Sequence, residues 1–410
     1  VGFALTAYPA GIERGYVTRE QGRDRVLKTL EFFLKAPTGP EGQNVSGYQG
    51  FFYHFLDMET GYRFKDVELS TIDTTLLLAG ALFCQSYFDQ KDYKENLIRQ
   101  HAETLYRRAN WKWFQMSKPW VSMGWRPEHG FIEADWRGYN EAMILLVLAL
   151  ASPTYPVEKD VWKNWTDTYK WGEFYGQEYV GFAPLFGHHY SHVWIDFKGI
   201  QDVYMKERGI DYFENTRRAT YAQRHYAIEN PMHWKDYGEN IWGLSACDGP
   251  VDTILPVNAI PRIFFTYGAR GASHDEVRDD GTITPSAAAG SMPFTPEIVL
   301  PALMEMRSRY GEDLYSEFGF LDSFNPTFTF DIKVQHGRVV AGKGWFDGDY
   351  LGIDQGVLFA MIENYRSGLI WNVMRKNPHI IRGLQRAGFT GGWLSEAIKN
   401  EERVSFLTVH

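Results

Sequence analysis

Apolar positions along the chain recur at helical spacing, and the helices they predict are of two kinds. From Thr18 to Ala36, Val26, Leu27, Leu30, Phe33 and Leu34 form one stripe, and Thr18 with Gln21 has the form of a capping box. That segment predicts a helix with one wet face. Ser70 to Phe88 differs, because between Thr75 and Cys84 no face carries a charge. Asp92 to Arg108 is amphipathic again. Asn140 to Ala151 is apolar all round, Val157 to Trp171 is mixed, and Pro296 to Tyr310 and Ile353 to Ile370 are largely apolar. A helix that is apolar on every side has to be enclosed, whereas an amphipathic one lies against solvent. The alternation predicts an inner ring of enclosed helices inside an outer ring of amphipathic ones. With roughly ten to twelve helices, the pattern fits an all-α, double-layered (α/α)6 toroid better than a simple bundle. No strict repeat of about 20 to 50 residues marks a solenoid.

The segments 37–68, 110–138, 172–189, 230–292 and 311–349 lack this periodicity. Loops this long are usually functional in a compact domain. Short strands are expected within them, as at Arg338 to Ala341, and in a toroid they would shape the mouth of the barrel. No linker-like stretch divides residues 1–410, which are read as a single domain. The chain opens on an apolar helical stretch, Val1 to Tyr8, with no capping residue before it, so a truncated or processed N-terminus is expected.

Composition narrows the function. The formal charge of −9 argues against a nucleic-acid partner, which needs clustered Lys and Arg, and against an anionic membrane surface. The longest purely apolar run, Ala142 to Ala151, is about half of what a membrane span needs. Two cysteines, Cys84 and Cys247, exclude a disulfide scaffold or a Cys-rich zinc site. No phosphate-binding Gly-rich loop and no Gly-x-Ser-x-Gly elbow is present.

Four candidate inner helices open with a carboxylate: Asp73, Glu141, Glu297 and Asp354. Each one alone is explained by the preference of acids for the first turn of a helix. If the helices are parallel staves of one ring, however, these carboxylates converge on one mouth. Such an arrangement suits glycoside hydrolysis, in which one carboxylic acid protonates the leaving oxygen and another carboxylate activates water. Glu214, in Asp211 to Thr220, reaches the same mouth only if that segment opens another inner helix; otherwise it pairs with Arg217 and Arg218 along the helix surface.

Five of the 14 tryptophans, Trp111, Trp113, Trp120, Trp125 and Trp136, fall within 26 residues, where even scatter would put about one. Tyr139 follows, and Arg126, Glu133, Asp135 and Arg137 lie between. The rings either stack on sugar faces, with the polar side chains reaching hydroxyls, or pack the loop against the barrel. Gly187-His-His-Tyr-Ser-His192, followed by Trp194 and Asp196, places three histidines in five residues. No Cys or Glu completes a recognised metal motif there, so polar contacts to substrate or proton transfer by histidine are the favoured roles, and no metal is expected.

Several stretches together resemble the bacterial glucoamylase-like domain family. They include Phe52 to Gly61, Glu68 to Thr75, Gly138 to Met143, His188 to Asp196, Asp248-Gly-Pro250, Ala287 to Gly290 and Asp349 to Gly356. The resemblance runs in order along nearly the whole chain, and it is nearest to glycoside hydrolase family 144. It implies an (α/α)6 barrel, cleavage of β-1,2-glucan, a periplasmic or secreted bacterial enzyme, and no cofactor. Members act as endo-glucanases, as sophorose-releasing exo-enzymes, or as transglycosylase domains. The family's general acid falls on Glu141. Asp354 or Asp73 is then the expected base or water-positioning group in an inverting reaction, with Glu214 a further candidate.

The expected substrate contacts are His54, Trp125, Arg126, Asp135, Trp136, Tyr139, His188, His189 and Trp194. The expected partner is a glucan or gluco-oligosaccharide, and the chain is expected to be a monomer. The alternatives are a polysaccharide lyase using Tyr190 or a histidine of the 188–192 cluster as base, a glucan transglycosylase, and a non-catalytic glycan binder.

Overall fold

The computed structural model describes residues 1–116 and 118–399. They group into two compact units. The first comprises Val1–Tyr169, Trp194–Asp211 and the chain from Gly368 onward; the second comprises Lys170–Val193 and Tyr212–Ser367. The chain passes from one to the other four times. Both units contain helices joined by long segments that carry short strands.

The first unit contains the helices predicted most cleanly. Arg19–Lys35 starts with the reciprocal capping box, in which the Thr18 hydroxyl accepts the Gln21 N–H and the Gln21 side chain accepts the Thr18 N–H. Thr71–Tyr87 is buried on almost every face, and all nine residues of Met143–Ala151 are buried. Tyr93–Arg108, capped by Asp92, buries one stripe, as its pattern requires. Glycines let enclosed helices approach closely. A Cβ on Gly80 of the Thr71–Tyr87 helix would lie 2.3 Å from the Gly2 carbonyl oxygen of the Gly2–Glu13 helix. A Cβ on Gly383 of the Pro378–Arg386 helix would lie 2.3 Å from the Val147 carbonyl oxygen.

The second unit holds the helices Tyr212–Glu229, Pro285–Gly290, Pro296–Tyr310 and Gly352–Ser367. Its strands are short antiparallel pairs, among them Thr253–Val257 with Ile260–Phe264 and Trp171–Phe174 with Gln177–Val180. One three-stranded sheet has Gly344–Phe346 at its centre, flanked by Phe324–Asn325 and Arg338–Val340. A buried ion pair anchors this unit. Arg270 and Asp280 are fully enclosed, with Nε and a terminal nitrogen 2.7 and 2.8 Å from the two carboxylate oxygens. The remaining guanidinium protons reach carbonyls of Cys247, Phe265, Thr266 and Gly268. Both cysteines are free and buried.

Four expectations change. The helix expected over Val157 to Trp171 is only Val161–Thr166. The Thr168 hydroxyl donates to the Trp165 carbonyl and accepts the Gly138 N–H, which ends the helix locally. The segment Ile353 to Ile370 is interrupted at Gly368, which adopts φ +67°, and a new helix starts at Leu369. Pro296–Tyr310 is not enclosed, since Leu300 and Met304 are exposed. Conversely, Pro285–Gly290 lies in a segment read as loop, and all six of its residues are buried. Its small side chains let Gly290 approach the His189 ring, which a Cβ there would meet at 2.5 Å. Among the described residues, no helix is long and apolar enough to cross a membrane.

The Gly80 crossing makes a testable sign. Gly→Ala in an exposed helix interior stabilises by roughly 0.5–1 kcal/mol. At Gly80 the added methyl meets backbone, which cannot rotate away, so Gly80→Ala is expected to destabilise by about 1–3 kcal/mol. Urea midpoints of the two proteins measure this.

Candidate active site

Each unit carries a carboxyl centre near the start of a helix. In the first unit the Thr71–Tyr87 helix is capped by Ser70, whose hydroxyl oxygen accepts the Asp73 N–H at 3.1 Å while its proton goes to the Asp73 carboxylate. Ser70 belongs to a three-stranded sheet, pairing with Gly124, while Leu69 pairs with Trp125 and Trp125 with Phe131. The tryptophan-rich segment is thereby fastened to the first turn of this helix. Trp136 Nε1 adds a bond of 2.9 Å to the Thr71 hydroxyl, which itself donates to the Met123 carbonyl.

His54 joins the centre. Its Nδ1 lies 2.9 Å from Glu68 Oε1 and its Nε2 3.5 Å from Asp73 Oδ2, and Arg126 approaches the other oxygen of Glu68 at 3.4 Å. Burial disfavours the imidazolium of His54, but the Glu68 hydrogen bond and the charges of Asp73 and Glu68 outweigh it and raise the pKa. The same hydrogen bond holds the Glu68 carboxyl down at about 2.

Glu141 sits in the turn just before the Met143–Ala151 helix rather than in its first turn. The turn is shaped by Gly138 at φ +69° and by Asn140, whose side chain accepts the Ala142 N–H and donates to the Arg137 carbonyl. Glu141 keeps a partly accessible edge, yet burial lifts its carboxyl to about 7, with the Asp73 charge adding to the rise. A group held near neutrality in this way is protonated often enough to serve as an acid.

In the second unit Asp354 lies in the first turn of Gly352–Ser367 and is 1% exposed. Ser286, from the enclosed Pro285–Gly290 helix, donates to its Oδ1 at 3.4 Å. Asp322 faces it, and burial followed by mutual repulsion drives the Asp322 carboxyl far up; burial likewise raises that of Asp354. Two such carboxyls titrate as a pair, not as independent groups. Asp322 also accepts the Asp248 N–H at 2.9 Å. Asp347 is fully buried, with one oxygen accepting the Gly348 N–H, and burial together with the charges of Asp248 and Asp349 lifts it to about 7.

Asp248, Asp322 and Asp347 each place one oxygen within 4.8 Å of the others, as do ligand atoms of Asp248, His336 and Asp349. Oxygens of this kind suit a hard cation, and they also suit a shared proton.

The expected site residues fall into distinct groups. His54, Asp73, Arg126 and Trp125 come together around the sheet of the first unit, and Trp125 is half-buried between Tyr48 and Trp113. Asp135 is paired with Arg137 and Lys118. Trp136 and Tyr139 are enclosed, Tyr139 with its ring against Tyr169. His188 and His189 are fully buried in the second unit, at 3.1 Å from the Phe182 carbonyl and 2.9 Å from the Ser291 hydroxyl. Burial lowers both pKa values, that of His188 to about 4. Trp194 is fully buried in the first unit and donates to Thr6. Tyr190 and His192 are likewise enclosed, so none of the lyase base candidates meets solvent. Glu214 pairs with Arg218 at 2.9 Å and Arg217 at 3.7 Å along its own helix, and Glu297 is exposed and bonded to Tyr221.

Residues 133–378 match the family model Glycoamylase, "Putative glucoamylase". The chain belongs to this glucoamylase-like family, as its motifs indicated. It is 30% identical, over 94% of its length, to an exo beta-1,2-glucooligosaccharide sophorohydrolase (non-reducing end) of Parabacteroides distasonis, of which it covers 52%. The chain thus spans about half the length of that curated relative. Among solved structures it resembles an endo-beta-1,2-glucanase from Chitinophaga pinensis in complex with sophorotriose and glucose. There the TM-score is 0.79 and the identity 29%, covering 96% of this chain and 88% of that one. It also resembles a beta-1,2-glucanase from Parabacteroides distasonis, with a TM-score of 0.78, 29% identity, and coverage of 94% of this chain and 54% of the other.

The raised Glu141 carboxyl has a consequence for stability. Between its ordinary value of 4.5 and about 7, the folded chain keeps a proton there that the unfolded chain gives up. The stability contributed by this group is therefore full below the lower value and is lost as pH rises through the upper one. Glu141→Gln removes that loss. The variant is expected to gain on the wild type as pH rises from about 4 to about 8, by at most about 3 kcal/mol. Urea unfolding of both proteins across that range reads the difference.

Proposed function

We propose that this chain is a glycoside hydrolase that cleaves β-1,2-glucan with inversion, and that Glu141 is its general acid. The observation that carries the reading is the Glu141 carboxyl, held near neutrality by burial at the start of an enclosed helix yet retaining an accessible edge. The names of the related enzymes supply the linkage. In the reaction Glu141 gives its proton to the glycosidic oxygen as the bond from that oxygen to the anomeric carbon breaks. A water oxygen bonds to the opposite face of the anomeric carbon, and the proton it releases passes to a carboxylate. Asp354 is assigned that role. Burial raises its carboxyl to about 7 and the facing Asp322 further, so Asp354 is the member of the pair that gives up its proton first and can accept one as a carboxylate.

Asp73, with His54, Glu68 and Arg126, positions hydroxyls of the sugar and adds to the rise in the Glu141 pKa. Trp125 supplies a ring face. Within the first unit the enclosed Trp136 backs this centre through its bond to Thr71. The helices are assigned to an (α/α)6 toroid forming one catalytic domain, acting as a monomer in the periplasm or outside the cell.

Glu141→Gln keeps the shape of the acid and removes its proton. Turnover on linear β-1,2-glucan is expected to fall by about 10²–10⁴-fold with substrate affinity retained; near-normal turnover would remove the assignment. Asp354→Asn is expected to fall comparably. Proton NMR of the first-released anomer should show the α-form from the β-linked substrate, and a β-product would contradict inversion. Chromatography over time separates endo action, which gives a ladder, from release of sophorose alone.

A further inference from the structure

The groups around Asp73 form a row of alternating charge that the backbone holds in register. Tyr53 and Leu69 face each other across an antiparallel bridge, and the His54 N–H donates to the Glu68 carbonyl at 2.9 Å. His54 and Glu68, 14 residues apart in sequence, are thereby set side by side. Leu69 runs on into Ser70, which caps the Thr71–Tyr87 helix, so the same strand delivers Asp73 in the first turn. The His54 ring lies flat on Phe55, with centroids 4.3 Å apart and planes at 14°.

Both ring nitrogens of His54 face carboxylates. Nδ1 is 2.9 Å from Glu68 Oε1 and Nε2 is 3.5 Å from Asp73 Oδ2. A carboxylate accepts and does not donate, so a bare ring nitrogen in either place sets a lone pair against a negative oxygen. An N–H on each side suits both contacts, and a ring with two N–H groups is an imidazolium. Further groups face this row. Arg126 reaches the second oxygen of Glu68 at 3.4 Å, and the Ser70 hydroxyl donates to Asp73. The Val1 amine feels the Asp73 charge, while burial disfavours its own.

Asp73 in turn acts on Glu141. The chain leading to the Met143–Ala151 helix is tied to the start of Thr71–Tyr87 by the bond from Trp136 to Thr71, and the two helices pack together. The Asp73 charge opposes ionisation of Glu141. A cation 3.5 Å from Asp73 partly cancels that charge.

We propose that His54 is a positioning residue for the general acid: held by Glu68 as the counter-charge of Asp73, it sets how firmly Glu141 keeps its proton. This rests on the reading of Glu141 as the acid and adds what tunes it. At low pH His54 is charged and Asp73 is partly neutralised. As pH rises and His54 loses its proton, Asp73 stands uncompensated and opposes ionisation of Glu141 more strongly. The acid therefore stays loaded further into the alkaline range than it would beside a permanent cation.

The alkaline limb of the pH profile of kcat/KM reports the acid in the free enzyme. His54→Gln keeps a polar group without charge, and in it the limb is expected to move up by about 0.3–1 pH unit. His54→Lys carries a permanent cation, and in it the limb is expected to stay or move down. The His54 side chain is 38% exposed, so neither substitution opens the core. A structural or purely sugar-binding role lowers kcat/KM at every pH and leaves the limb where it was. An unmoved limb in His54→Gln, or an upward move in both variants, overturns the proposal. Carbon-13 NMR titration of the Glu141 carboxyl, identified by its loss in Glu141→Gln, reads the same shift without substrate. Its midpoint should rise in His54→Gln and not in His54→Lys, and equal midpoints in wild type and His54→Gln overturn the proposal. If Glu141→Gln keeps near-normal turnover on β-1,2-glucan, the functional reading fails by itself, and the NMR midpoints still decide whether His54 acts on Glu141.

Discussion

The cost of holding a carboxylate away from water governs the chemistry of this protein. An isolated charge in a poorly solvated place is so unfavourable that the group keeps its proton instead. The first unit applies this to Glu141, where burial and the nearby Asp73 charge raise the carboxyl to about 7. The second unit applies it to Asp354 and Asp322, which face each other, with Ser286 donating to Asp354 and the Asp248 N–H to Asp322. The first arrangement yields a carboxyl able to give a proton. The second yields a coupled pair in which Asp354, raised to about 7, can take one once ionised.

Keeping such groups in place requires walls that do not yield. In the first unit they come from helices enclosed on every face and brought close by glycine, as at Gly80 and Gly383. In the second, a short run of small residues, Pro285–Gly290, lies inside and delivers Ser286 to Asp354. The buried pair of Arg270 and Asp280 ties together the irregular segments around it. Here a charged pair is tolerated because nearly every guanidinium proton finds an acceptor. The tryptophan-rich segment serves the same end. Trp111 and Trp136 are enclosed and fasten it down, leaving Trp125 half-open beside Arg126.

The site was partly legible before any coordinates. Asp73 and Asp354 stand at predicted helix starts, and both occupy first turns. Glu141 was legible for the same reason, although it stands two residues before its helix begins. Asp322 and Asp347 carried no such signal. They sit in irregular backbone whose partners are distant in sequence, the Asp322 oxygen accepting from Asp248 and the Asp347 N–H donating to Ser323. The histidine cluster showed the opposite failure. Three histidines in five residues look like a polar site, but their helix lies among apolar and small side chains, and burial depresses their pKa values.

By itself the sequence determined what depends on near neighbours in the chain. It set most of the helical stretches, where the Thr18 cap falls, that the helices Thr71–Tyr87 and Met143–Ala151 must be enclosed, and that aromatic rings crowd one segment. Periodicity and capping act over a few residues, so they can be read locally. Tertiary structure decided which carboxyls lose water, which tryptophans remain open, and which distant aspartates titrate together. Those properties depend on what packs around each group, and the residues that do the packing lie dozens of positions away in the chain.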